Sequence, residues 1–123
     1  MNIAPFNVEV ESTPEGVQIF SLTGELDEAT AQQLRDPLQK TIDAGTDVVM
    51  IDMTGCGFID STGLGVIVDG WKQLQDRNGD RAALAICCAE PEVRRLLEVT
   101  GLDQAIAIYD TREEALATLS APA

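Results

Sequence analysis

The spacing of apolar and polar residues changes several times along the chain, and each change marks an element. Asn7-Val8-Glu9-Val10-Glu11 alternates apolar and acidic or amide side chains, the two-residue period of a half-exposed strand. Pro14-Glu15-Gly16 is turn chemistry, and Val17-Gln18-Ile19-Phe20-Ser21-Leu22-Thr23 reads as a second strand, so an antiparallel hairpin is expected. The side-chain phase slips at Ile19-Phe20, which calls for burial on both faces or a bulge. Asp27 then stands where a helix N-cap belongs, ahead of a helix expected over roughly residues 28–44 with Leu34, Leu38, Thr41 and Ile42 on one stripe. Pro37 lies inside that pattern and is expected to kink or restart the helix, because proline removes a backbone donor. Ala44-Gly45-Thr46 ends it.

Val48 to Met53 is a continuous apolar run broken only by Asp52, the pattern of a strand covered on both faces in a parallel sheet. Thr54 to Phe58 is expected to be a loop of mostly small residues. A helix over about residues 61–77 follows, with Leu64, Ile67, Val68, Trp71 and Leu74 as its buried stripe and Gly79 as its stop. Ala82 to Cys88 predicts another strand. Glu90-Pro91 opens a short helix with Val93, Leu96 and Leu97 inward and Gly101 just beyond its end. Gln104 to Tyr109 predicts the final strand, Thr111-x-x-Glu114 is a capping box, and Ala115, Leu116 and Leu119 line the last helix. The order β-β-α-β-α-β-α-β-α predicts a single-domain α/β fold over all 123 residues, with a mixed, mostly parallel sheet packed with helices.

Charge and composition narrow the function classes. A net charge of −13 argues against direct nucleic-acid binding and against docking on anionic membranes, and it suits either a basic partner or simple solubility. The N-terminal residues Met1 to Phe6 lack the basic and apolar regions of a secretory leader, and no apolar run reaches the length of a membrane span, so a cytoplasmic location is expected. The chain has no histidine, which removes the usual general base and the Ser-His-Asp triad. Its three cysteines, Cys56, Cys87 and Cys88, offer neither a disulfide framework nor a zinc-binding spacing. Cys56 follows one predicted strand and Cys87-Cys88 ends another, which would bring them together near the 60–63 loop. Small buried hydrophobes are their ordinary role, and a redox switch is the alternative.

The remaining chemistry gathers at Asp60-Ser61-Thr62-Gly63-Leu64-Gly65, where an apolar strand passes into a helix. A helix start carries free N–H groups and the positive end of the dipole, so it tolerates an anion. Gly63 and Gly65 are poor helix formers and would let another molecule approach the backbone. Asp60 or Ser61 serving only as an N-cap explains the same residues. A phosphate-binding glycine loop is missing, and so is the first glycine of a nucleophile elbow. Asp27 has two readings as well: a helix cap, or a carboxylate placed beside Ser61.

Phe58-Ile59-Asp60-Ser61-Thr62-Gly63-Leu64-Gly65-Val66 resembles the signature of the STAS family of anti-sigma factor antagonists. Leu22-Thr23-Gly24-Glu25-Leu26-Asp27 resembles that family's second motif, and Ala89 to Leu97 with Thr100-Gly101-Leu102 fits its later helix. The resemblance covers about residues 8–119. It implies a regulatory binding protein rather than an enzyme, monomeric when free. Its unphosphorylated form would bind an anti-sigma factor that is also a serine kinase, and so release a sigma factor. The kinase would supply ATP and magnesium and phosphorylate Ser61, and a serine phosphatase would reverse the step. Thr62 is a second hydroxyl ranked below Ser61. The resemblance places Asp27 beside the acceptor and assigns Asp60, Thr62, Gly63, Leu64 and Gly65 to its support or to partner binding. The alternative it allows is a STAS interaction module of another signalling or transport assembly.

Overall fold

The computed structural model describes residues 5–119, so part of the N-terminal stretch read for a leader lies outside the described residues. Strands β1 (Asn7–Ser12) and β2 (Val17–Leu26) form the expected antiparallel hairpin, with Val8 opposite Leu22 and Val10 opposite Phe20. Ile19 and Phe20 are both buried, so the phase slip there is burial on both faces. The irregularities in β2's pairing lie further along, between Ser21 and Thr23 and between Gly24 and Glu25.

Three more strands join in parallel: β3 (Val48–Ile59), β4 (Ala83–Cys87) and β5 (Ala107–Tyr109). The sheet runs in chain order, β1-β2-β3-β4-β5. Adding parallel strands always in one direction, with crossovers of one hand, forces the connecting helices onto one face. Helices α1 (Ala31–Asp43), α2 (Ser61–Asn78) and α3 (Pro91–Val99) do share a face: Leu34, Leu38, Ile67, Leu74, Val93 and Leu97 pack on Phe20, Ile51 and Ile86. The opposite face is left for α4 (Arg112–Leu119), whose Ala115, Leu116 and Leu119 cover Val17, Ile19, Met50 and Cys87.

Four expectations are corrected. Residues 54–58 are strand rather than loop, because β2 also continues to Leu26 and pairs with Gly55, Cys56, Phe58 and Ile59. Helix α1 starts at Ala31 and not near Glu28; residues 28–30 form a turn. It runs without interruption through Pro37. The last strand is only Ala107–Tyr109, since residues 102–104 make a 3-10 turn after Gly101, which takes the left-handed conformation at φ 78°.

Candidate functional site

The end of β3 and the start of α2 form one corner, and Asp60 builds it. Its backbone is extended, at φ −111° and ψ −175°, so its side chain turns back over the first helical turn. Oδ1 accepts from the Gly63 N–H at 3.0 Å, which makes Asp60 the N-cap and Ser61 the first helical residue. Oδ2 accepts from the Glu28 N–H at 3.2 Å, and the Asp60 N–H donates to the Leu26 carbonyl at 3.1 Å. One side chain thus ties the loop after β2 to the start of α2. Ser61 and Thr62 are exposed beside it.

Asp27 stands in that neighbouring loop, but it does not cap α1. Its Oδ1 accepts from the N–H groups of Ala29 at 3.0 Å and Thr30 at 3.1 Å, closing its own turn. The Thr30 hydroxyl accepts from the Asp27 N–H at 2.9 Å and donates to the Glu25 carbonyl at 2.7 Å. Thr30 takes the N-cap position of α1 without a side-chain cap bond. The Glu28–Asp60 hydrogen bond brings the turn up to the corner, while the hydrogen bonds of Asp27's own carboxylate stay within the turn.

The two glycines differ. Gly63 is buried, and a Cβ there would stand 2.8 Å from the Leu26 carbonyl oxygen and 2.7 Å from Leu26 Cγ. Its missing side chain lets α2 sit against β2, so the expected opening to another molecule is corrected at this position. Gly65 is exposed, and a Cβ there would meet nothing within 4 Å.

Two grooves flank the corner. One, of about 240 Å³, is lined by Leu64, Gly65, Val68, Thr100 and Leu102. The other, of about 300 Å³, is lined by Gly57, Phe58, Ile59, Glu92, Val93 and Leu96. Phe58 is 45% exposed although it is aromatic. It opens the stretch that resembles the family signature, but no role is attached to it there; a bulky ring beside small residues is its other signal.

The cysteines do not gather at this corner. Cys56 is buried among the side chains facing α1 to α3, and its thiol donates to the Phe58 carbonyl at 3.3 Å. Burial pushes that thiol up from its ordinary pKa. Cys87 and Cys88 pack on the α4 side.

On that side lies a second polar constellation that sequence reasoning missed. Asp52 is buried and accepts from Arg112 Nε at 3.0 Å and Nη2 at 2.8 Å, both at Oδ2. Oδ1 accepts from the Thr54 N–H at 2.9 Å and hydroxyl at 2.6 Å. Arg112 also donates to Ser21 Oγ at 3.0 Å and Glu11 Oε1 at 2.8 Å, so it fastens the first residue of α4 across three strands. Burial acts to raise the Asp52 pKa, but the bonds from Thr54 and Arg112 outweigh it and hold the carboxyl below its usual range.

Comparison with known proteins agrees with this architecture. Residues 7–115 match the STAS domain family. An anti-sigma F factor antagonist of Paenibacillus polymyxa is 33% identical over 92% of this chain and 96% of its own length. An anti-sigma-B factor antagonist of Bacillus subtilis is 32% identical over 88% of this chain and 92% of its own. The crystal structure of an anti-sigma factor antagonist from Mycobacterium paratuberculosis superposes with a TM-score of 0.86 at 26% identity, covering 95% of this chain and 96% of that one. The strand order and the alternation of strands and helices are therefore those of a known family, and the chain belongs to the STAS domain family of anti-sigma factor antagonists.

Proposed function

We propose that this protein is an anti-sigma factor antagonist whose Ser61 is a phosphorylation switch. The unphosphorylated protein binds an anti-sigma factor serine kinase through the exposed corner and the groove beside Leu64 and Gly65, and a sigma factor is released. The kinase brings ATP and magnesium, and a serine phosphatase restores the binding form. The observation that carries this reading is the exposed Ser61 hydroxyl at the first position of α2, directly after a capping Asp60 whose oxygens are already engaged. The relatives described as anti-sigma factor antagonists support the partner class.

A phosphate on Ser61 adds about −1.5 to −2 charge. The free protein tolerates it at the helix N-terminus. In a complex it must be desolvated beside Asp60 on a chain of net charge −13. A loss of about 2–3 kcal/mol in the complex lowers affinity roughly 30- to 150-fold, enough to switch partners. Pull-downs with Ser61→Ala and Ser61→Asp proteins test this. A serine kinase retained by the Ala protein and released by the Asp protein supports the switch, and equal retention overturns it. Phosphopeptide mapping that finds phosphate only on Thr62 moves the acceptor by one residue.

A further inference from the structure

Cys87 ends β4, and Cys88 is the next residue. Successive side chains of a strand point to opposite faces. Here they do not, since Cys87 and Cys88 both pack into the apolar cluster beneath α4. The cause is Cys88 itself, at φ 63°, the one non-glycine residue with positive φ among those described. The left-handed conformation is strained for a residue with a Cβ. It turns the second thiol back beside the first. The two sulfurs and the Asp52 carboxylate lie within 4.8 Å of one another. Asp52 is already held by Arg112 and Thr54, which leaves the two sulfurs as the free chemistry of the cluster.

We propose that Cys87 and Cys88 form a redox-active vicinal dithiol, which a peroxide closes to an intramolecular disulfide between neighbouring residues. Cys88 is half-exposed and meets the oxidant first, whereas burial keeps the Cys87 thiol protonated. The Cys88 thiolate attacks one peroxide oxygen and the O–O bond breaks. The hydroxide that leaves takes a proton and becomes water, and Cys88 becomes a sulfenic acid. The Cys87 sulfur then attacks the Cys88 sulfur and the S–O bond breaks. The departing hydroxide carries off the Cys87 proton as a second water. Two thiols and one peroxide thus give one disulfide and two waters.

Neighbouring Cα atoms stand about 3.8 Å apart across a trans peptide, closer than the roughly 4.4 Å lower end of ordinary disulfides. The ring is therefore strained and readily reduced, the character of a labile bond rather than a structural one. The strain falls on a coupled segment. The Cys88 N–H donates to the Tyr109 carbonyl at 3.1 Å, and Arg112, which holds α4 to Asp52, lies just beyond Tyr109.

Treating the full reduced chain with hydrogen peroxide, then counting thiols after denaturation and mapping peptides, tests the proposal. The expected result is loss of two of the three thiols and of two hydrogens from the peptide carrying Cys87 and Cys88, reversed by dithiothreitol, with Cys56 still reduced. Cys87→Ser protein, similarly treated, is expected to hold a sulfenic acid at Cys88 that dimedone traps. Oxidation first at Cys56, a dimer linked through Cys88, or a chain that keeps all three thiols would each overturn it.

Discussion

Two aspartates, Asp52 on strand β3 and Asp60 just beyond its end, have opposite surroundings. Asp52 lies beneath α4 and is neutralised by a side chain far away in sequence, Arg112. Asp60 stands just past the strand's end, and its side-chain oxygens accept only from backbone N–H groups, of Gly63 in the first turn of α2 and of Glu28 in the turn after β2. The first arrangement fastens a helix to a sheet. The second shapes a turn and leaves the neighbouring hydroxyls in solvent. Stability and presentation are thus assigned to separate carboxylates, and substitutions near each should divide the same way.

The largest expected effect is at the fastened end. Arg112→Ala leaves the buried Asp52 carboxylate without its cation; because Arg112 is itself partly exposed, the cost should be about 2 kcal/mol, below the range for a fully buried pair. Urea unfolding measures it. The pH dependence follows from the lowered pKa of Asp52. An unfolded carboxyl titrates near 3.9. A folded pKa below that contributes stability that is present above about pH 4 and lost as pH falls through the folded value. The penalty of Arg112→Ala should therefore be largest near neutral pH and shrink as Asp52 is protonated. A penalty that does not change with pH would mean that Arg112 acts through packing and not through the ion pair. Partner binding by the folded variant should stay close to that of the unaltered protein.

The same contrast explains what could be read from the sequence. Element order was legible because periodicity, glycines and caps are local signals: Gly79 and Gly101 stand where α2 and α3 end. The Asp60 cap was legible for that reason as one of two choices. The extension of β3 to Ile59 was not, because Gly55-Cys56-Gly57 has no strand propensity of its own and is strand only through its pairing with β2. Asp52 in an apolar run signals that a partner must exist, since an unpaired buried charge is costly. Nothing local says which of the eight lysines and arginines it is. The cap of α1 was misplaced because Asp27 and Thr30 both carry capping side chains, and only the fold decides which turn each one closes.

Gly63→Ala probes the seam between corner and core. The new Cβ meets the backbone oxygen of Leu26, which cannot rotate away as a side chain does. Overpacking of this kind costs about 1–3 kcal/mol, and replacing glycine within a helix recovers about 1. The net expectation is a loss of about 1 kcal/mol in urea unfolding, together with weaker partner binding, because the Leu26–Asp27 loop must shift. Unchanged stability would show that α2 can move off β2 without cost.

Gly65→Ala sharpens the comparison most, though its effect on stability is the smallest. The site is exposed, no atom stands within 4 Å of the new Cβ, and the residue lies inside α2. Alanine should therefore raise stability by up to about 1 kcal/mol through helix propensity alone. The same methyl group projects into the groove lined by Leu64, Val68, Thr100 and Leu102. If the proposed kinase partner occupies that groove, its affinity falls while the fold becomes firmer, so the two readouts move in opposite directions. A purely structural glycine cannot give that result, since relieving it would move both readouts together. Equal affinity with raised stability would leave the Asp60–Ser61 turn as the docking surface and remove the groove from it.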